Sequence, residues 1–140
     1  MAYGLWPVAP MLNPPRGYLT LAWLGLIGNI LMLPLAIAAI LGDRHWLAAN
    51  IAVGAGAVLP TAVVGIVASI ALLRWRRWGQ ILAIVALAMA LAVGLPYGIV
   101  RLVLVEQGRL ATALGSVAVW SCCTAALVYW CQPAIRRYLS

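Results

Sequence analysis

Four long stretches almost free of charge dominate this chain of 140 residues, and short arginine-bearing segments separate them. The stretches are residues 18–41, 47–73, 80–100 and 110–130. Each is about as long as the ~20 apolar residues that a helix needs to cross a bilayer. Because 66% of the residues are hydrophobic and only 8% are charged, a water-soluble fold could not bury the apolar surface. We therefore expect residues 1–140 to form a single transmembrane domain, an all-α integral membrane four-helix bundle.

The segments around the four stretches contain features that end or bend helices. Residues 1–17 carry four prolines, which predicts an irregular cytoplasmic leader, and residues 131–140 are expected to form a cytoplasmic tail. Three spans also contain a Leu-Pro step, at Pro34, Pro60 and Pro96. Each proline removes one backbone hydrogen bond, so we expect a kink in each of these spans.

The arginines are distributed unequally between the two ends of the predicted bundle. Six lie at one end, with no acidic residue beside them: Arg16, Arg74, Arg76, Arg77, Arg136 and Arg137. The other end carries Arg44, Arg101 and Arg109, together with Asp43 and Glu106. The positive-inside rule therefore predicts that both termini are cytoplasmic (N-in/C-in), and the short loops predict antiparallel neighbouring helices.

This arginine pattern also predicts the partners of the basic end. We expect Arg74, Arg76, Arg77, Arg136 and Arg137 to contact the headgroups of anionic lipids in the bilayer. Nucleic-acid binding is not expected, because the sequence leaves no exposed surface large enough to follow a phosphate backbone.

One short segment carries a resemblance to other proteins. The turn Leu73–Gln80 reads Leu-Arg-Trp-Arg-Arg-Trp-Gly-Gln, and Leu95-Pro96-Tyr97-Gly98 follows in the third span. This part of the chain, about 74–100, resembles uncharacterised small four-span bacterial inner-membrane proteins with a basic, Trp-containing turn before helix 3. The resemblance implies a location in the bacterial inner membrane, and it implies no activity.

A pattern of matching residues relates the two halves of the chain. Residues of the same type recur at a distance of 62 positions: Gly17 and Gly79, Leu33-Pro34 and Leu95-Pro96, and Ile37 and Ile99. One interpretation is that helices 1–2 and 3–4 are parallel copies, as in some transporters. The alternative is chance, because these residue types are common in membrane helices.

The third span contains a stripe of small residues spaced four apart, namely Ala86, Ala90, Gly94 and Gly98. Small residues let two helix backbones approach closely, which promotes helix packing in lipid. The stripe fits packing inside the bundle, and it fits the interface of a homo-oligomer or of a larger membrane complex equally well.

Three residues are candidates for a polar site inside the membrane. Asn29 lies near the centre of the first span, and we expect its amide to hydrogen-bond across helices or to the carbonyl that Pro34 leaves unpaired. Thr61 could belong to the same polar patch. Arg101 lies near the end of the third span, where its side chain could extend to the headgroups, pair with Glu106 or contact a solute.

The sequence offers no complete set of catalytic groups or metal ligands. His45 is the single histidine, and Cys122, Cys123 and Cys131 are best interpreted as small apolar residues. We therefore expect no enzyme activity and no cofactor. The predicted function is that of an accessory or scaffold subunit of a membrane complex, or of a self-associating bundle. The alternative is a small transporter or channel for an anionic or neutral solute.

Overall fold

The computed structural model describes residues 13–42, 44–104 and 108–139 of the chain. About 90% of these residues are helical and none of them lies in a strand, which confirms the predicted all-α class. The helices are α1 (Tyr18–Gly42), α2 (Leu47–Val53), α3 (Leu59–Leu73), α4 (Arg77–Leu104), α5 (Arg109–Trp130) and α6 (Pro133–Tyr138). A 3₁₀ turn, Arg44–Trp46, precedes α2, and a π-helical segment, Gly54–Val58, joins α2 to α3.

Four helical units are long and apolar enough to cross a membrane. They are α1, the continuous unit Leu47–Leu73, α4 and α5. The four predicted stretches agree with these units, although α4 extends further at both ends than residues 80–100. Arg77 opens that helix and Arg101 lies inside it rather than in the following loop. A helix can extend past its apolar stretch in this way because long arginine side chains reach the headgroup region.

The spans pack in the order in which they follow one another along the chain. Within the described residues, α3 packs extensively against both α1 and α4, and α4 packs against α5. The first residue of α1, Tyr18, contacts Leu72 near the end of α3, and Gln80 near the start of α4 contacts the last residue of α5. Neighbouring spans are therefore antiparallel, as the short connections predict.

Most of the buried core lies at the end of the bundle that contains Tyr18, here called the Tyr18 end. Its buried residues come from α1, α3, α4, α5, α6 and the residue that follows α6: Tyr18, Ala22, Ala68, Leu72, Ala83, Trp130, Ile135 and Leu139. At the opposite end, here called the Asn50 end, large apolar side chains point outward. Leu41 is 70% exposed and Leu110 is 75% exposed, as expected for residues that face lipid.

The three prolines of the spans occupy two helical contexts. Pro34 and Pro96 lie inside α1 and α4, which remain helical through them, and Pro60 is in the first turn of α3, immediately after the π-helical segment. Pro60 cannot donate to the carbonyl four residues earlier. Just before it, the N–H of Leu59 instead bonds the carbonyl of Gly54, five residues back. This wider turn accommodates the proline in the second span, and the predicted kinks remain predictions.

Candidate functional site

Two buried side chains tie helix ends together at the Tyr18 end. The hydroxyl of Tyr18 donates to the carbonyl oxygen of Leu72 at 2.8 Å, and Nε2 of Gln80 donates to the carbonyl oxygen of Trp130 at 2.6 Å. The last four carbonyls of a helix have no partner within that helix, and lipid offers none. The bond from Gln80 supplies a donor to a carbonyl at the end of α5, and the bond from Tyr18 adds a second donor to a carbonyl that also accepts the N–H of Trp75. The two bonds join α1 to α3 and α4 to α5.

Four rings, here called the aromatic cluster, fill the space between these helix ends. Tyr18 stacks on Trp75 with ring centroids 5.0 Å apart, and it meets Trp130 and Tyr138 edge-on at 5.5 and 5.7 Å. Trp75 and Tyr138 also meet edge-on, at 5.5 Å. Stacked and edge-on contacts at these distances are favourable for aromatic pairs. The cluster thus joins α1, the α3–α4 turn, α5 and α6.

The α3–α4 turn holds Trp75 in an uncommon backbone conformation. Its φ angle is +57°, a left-handed value that usually belongs to glycine. The N–H groups of Trp75 and Arg76 bond the carbonyls of Leu72 and Ala71, each at 2.9 Å, which is the Schellman arrangement at a helix C-terminus. The ring contacts of Trp75 offset the cost of this conformation. The sequence pattern does not indicate the contacts of Trp75 with Tyr18 and Tyr138, which lie far from it in the chain.

The Asn50 end contains a second polar network beside a cavity. Asn50, which is 6% exposed, donates from Nδ2 to the carbonyl oxygen of Ala39 at 3.2 Å, and its Oδ1 accepts a hydrogen bond from the hydroxyl of Tyr97. The adjoining cavity has a volume of about 220 Å³ and is lined mainly by apolar side chains of α1, α2 and the π-helical segment. Asn50, Tyr97 and Arg101 supply its polar groups.

The three predicted polar residues lie at different places in this framework. Asn29 donates from Nδ2 to the carbonyl of Gly25 at 2.7 Å, within its own helix, and its amide packs against Gly65 of α3. This bond differs from the expected one across helices or to the carbonyl freed by Pro34. Thr61 is half-buried one turn before Gly65. Only Arg101 belongs to the described lining of the cavity at the Asn50 end.

The predicted packing stripe of α4 faces α5 at its Gly-x-x-x-Gly end. Ala86 and Gly98 are buried, and Ala90 and Gly94 are half-buried. A methyl group added at Gly98 would come within 2.6 Å of Cζ2 of Trp120, and one added at Gly94 would lie 4.0 Å from the indole nitrogen of the same residue. This part of the stripe therefore serves packing inside the bundle, where the α4 glycines make room for the Trp120 ring.

A second row of small residues lies on α5 and is exposed. Its members follow the spacing 4, 3, 4, 3 and are Ala111, Gly115, Ala118, Cys122 and Ala125, here called the α5 seam. A methyl group added at Gly115 would meet nothing within 4 Å. This spacing places all five residues on one face of the helix, away from the Trp120 side that packs against α4.

The sequence analysis did not identify Gln80, Asn50 and Tyr97 as residues that hydrogen-bond between helices. All three are uncharged polar residues at the edges of apolar stretches, where a polar residue is easily assigned to a loop. Buried hydrogen-bonding side chains near helix ends are the signal that could have identified them, because the last carbonyls of each span need a donor.

The described residues contain no group of three or more His, Cys, Asp or Glu side chains that could hold a metal ion. The residues described in the aromatic cluster, the Asn50 network and the exposed arginines supply hydrogen bonding, aromatic contact and positive charge. No known protein family, curated protein or solved structure matches this chain.

Proposed function

We propose that this protein is a non-catalytic membrane protein that self-associates through the α5 seam. The observation that carries the proposal is the exposure of five small residues at heptad-like spacing on one helix. Within the described residues α5 packs extensively against α4 alone, so the opposite face has room for a further helix. The seam runs over 15 residues, and its first and last members lie about 21 Å apart along the helix axis, which is most of the thickness of the bilayer core.

The composition of the seam favours a helix over lipid as its neighbour. Small side chains allow two backbones to approach closely, and the gain in van der Waals contact drives association where the hydrophobic effect is absent. A 4-3-4-3 spacing keeps the same face toward the partner over several turns. Two copies inserted in the same orientation run parallel, so each seam residue meets its own counterpart across a two-fold axis.

The proposed setting is the bacterial inner membrane with both termini in the cytoplasm. Six arginines belong to the Tyr18 end and three to the Asn50 end, so the positive-inside rule favours the Tyr18 end as the cytoplasmic one. In this setting a different membrane protein could occupy the α5 seam, which would make the chain an accessory or scaffold subunit of a larger complex.

Cys122 provides a direct test, because it is a native cysteine within the seam. A variant that keeps only Cys122, made with Cys123→Ala and Cys131→Ala, should form a disulfide-linked dimer in native membranes under mild oxidation. Disulfides need Cα atoms roughly 4.4–6.8 Å apart, so only a close helix pair can respond. The matched control carries its sole cysteine through Val128→Cys, which is exposed on α5 outside the seam.

Native mass spectra of gently extracted protein complete the test. A multiple of 14.9 kDa that reverts to the monomer in Gly115→Ile would support self-association. Masses containing other subunits, lost in the same variant, would support the accessory form. A bare monomer, together with equal cross-linking of the Cys122 protein and the Val128→Cys control, would overturn the proposal.

The cavity at the Asn50 end favours one alternative, a small transporter or channel for an anionic or neutral solute. Its polar groups, Asn50, Tyr97 and Arg101, suit such a solute. Against this function, the opposite end is filled by the buried core and the aromatic cluster. Flux into proteoliposomes that is lost in Arg101→Ala would favour transport, and equal flux with and without the protein would exclude it for the solutes tested.

A further inference from the structure

We infer that the Tyr18 end carries a composite binding site for a lipid headgroup with two phosphates, built from two arginine groups far apart in the sequence. One group is Arg74, Arg76 and Arg77 at the α3–α4 turn, and the other is Arg136 and Arg137 on α6. The edge-on contact between Trp75 and Tyr138 joins the two groups. This inference is independent of self-association through α5.

The helix α6 is fixed against the bundle. Ile135 is fully buried and Leu139 is 9% exposed, and both belong to the core cluster of the Tyr18 end. Arg136 and Arg137 occupy the last turn of the same helix and are exposed. Because the apolar side of α6 is anchored, its arginines are held beside the bundle rather than on a free tail.

The α3–α4 turn is fixed equally well. Its two Schellman hydrogen bonds hold Arg74 and Arg76 on either side of Trp75, while the Trp75 ring stacks on Tyr18. Arg77 follows as the first residue of α4 and is exposed, as are Arg74 and Arg76. Tyr138 touches Trp75 and is the immediate neighbour of Arg137, so the two rings lie between the two arginine groups.

The charge at this end favours an anion. The chain has two acidic residues, Asp43 and Glu106, and in sequence both belong to the loops of the opposite end. Arginine binds phosphate through two parallel hydrogen bonds, and basic pockets between membrane helices bind the headgroups of multiply charged lipids. Two separate arginine groups suit two phosphates joined by a short linker, and the aromatic rings suit the boundary region in which such a headgroup lies.

The test compares lipids that differ in phosphate number. Native mass spectrometry of the full chain in neutral detergent would measure the affinity for cardiolipin, phosphatidylglycerol and phosphatidylcholine. The decisive quantity is the selectivity ratio, the affinity for cardiolipin divided by that for phosphatidylglycerol. The second phosphate of cardiolipin should engage at least one arginine that phosphatidylglycerol leaves unused. One arginine near an anionic surface contributes a factor of about five, so we expect a ratio of at least about fivefold.

The variants Tyr138→Ala and Tyr138→Phe separate a composite site from simple charge attraction, because both keep every arginine. The expected result is that Tyr138→Ala lowers the ratio below about twofold, whereas Tyr138→Phe, which keeps the ring, preserves it. Arg76→Gln and Arg136→Gln provide a second pair of variants for the case in which Tyr138→Ala fails to fold. Each should lower the ratio, and their combination should lower it little further, because either change already breaks the two-group site.

Arg44→Gln serves as the control, because Arg44 lies at the opposite end of the bundle and its loss should leave the ratio unchanged. Equal affinity of the unmodified protein for cardiolipin and phosphatidylglycerol would overturn the inference. A full selectivity ratio in folded Tyr138→Ala, or in the combined arginine variant, would overturn it as well.

Discussion

The hydroxyl of Tyr18 donates a 2.8 Å hydrogen bond to the carbonyl oxygen of Leu72, which joins the first residue of α1 to the last turn of α3. The same relationship recurs in the other spans. Asn50 donates to Ala39 at the end of α1, Gln80 donates to Trp130 at the end of α5, and Arg109 donates to Val103 at the end of α4 at 3.4 Å. In each case a side chain of one helix donates to a backbone carbonyl near the C-terminal end of another helix, where carbonyls lack partners within their own helix.

Tyr18→Phe tests the cost of leaving one such carbonyl with fewer donors. The substitution keeps the ring contacts with Trp75, Trp130 and Tyr138 and removes only the hydroxyl. We expect the free energy of unfolding to fall by about 1 kcal/mol, the usual range for a hydrogen bond between membrane helices. Denaturant titration in mixed micelles would measure it. The loss should be modest, because the N–H of Trp75 still donates to Leu72 at 2.9 Å.

Gln80→Leu tests the bond between α4 and α5. Gln80 is buried, and its substitution leaves the carbonyl of Trp130 without this donor in an apolar environment. The expected loss of unfolding free energy is about 1–3 kcal/mol, larger than for Tyr18→Phe. The control is Gln132→Leu, because Gln132 is exposed and makes no side-chain capping bond. Equal stability of the two variants would show that the carbonyl of Trp130 needs no side-chain donor.

The helices could be predicted from the sequence because their cause is local. Some twenty apolar residues between arginines require a helix in lipid, whatever the neighbouring helices do. The bounds of α4 were less accessible, because Arg77 and Arg101 are compatible with either a helix end or a loop. The π-helical segment was also missed. Gly54 and Gly56 lie in this segment and Pro60 follows it, and none of these residues by itself predicts a π-helix.

The candidate site was predictable only in part, because it depends on contacts between distant positions. The arginines were identified by their charge, but nothing in the sequence joins Arg76 to Arg136. That link needs the left-handed conformation of Trp75 and the fold-back of α6 onto the core. Asn29 was singled out for its central position, yet it bonds within its own helix. Asn50, which lies near the end of a span, instead makes hydrogen bonds to Ala39 of α1 and Tyr97 of α4.

The pair of Asn50 and Tyr97 allows a test through a double-mutant cycle. Asn50→Leu should destabilise the bundle by roughly 1–3 kcal/mol, because it removes the donor to Ala39 and leaves the Tyr97 hydroxyl without its acceptor. Tyr97→Phe alone should cost less, since only one bond is lost. Adding Tyr97→Phe to Asn50→Leu should cost almost nothing further. Strict additivity of the two unfolding free energies would mean that this bond contributes no coupling.

Gly98 and Trp120 provide the sharpest test of packing between α4 and α5. A methyl group at Gly98 would lie 2.6 Å from Cζ2 of Trp120, so Gly98→Ala forces the ring or the helix to move. We expect a loss of about 1–3 kcal/mol in unfolding free energy, the usual cost of overpacking. Gly115→Ala is the matched control, because its added methyl group meets nothing within 4 Å. Measured at high dilution, where self-association does not contribute, that control should keep its stability.

Trp120→Leu decides whether the indole ring is the cause of that loss. The substitution alone should destabilise the bundle, because it removes a large side chain from the contact between α4 and α5. In the Trp120→Leu background, however, Gly98→Ala should cost much less than in the unmodified protein, since the atoms it would meet are gone. The expected coupling between the two sites is at least about 1 kcal/mol. If Gly98→Ala costs the same in both backgrounds, the steric relation between Gly98 and Trp120 is wrong, and α5 must approach α4 through other residues.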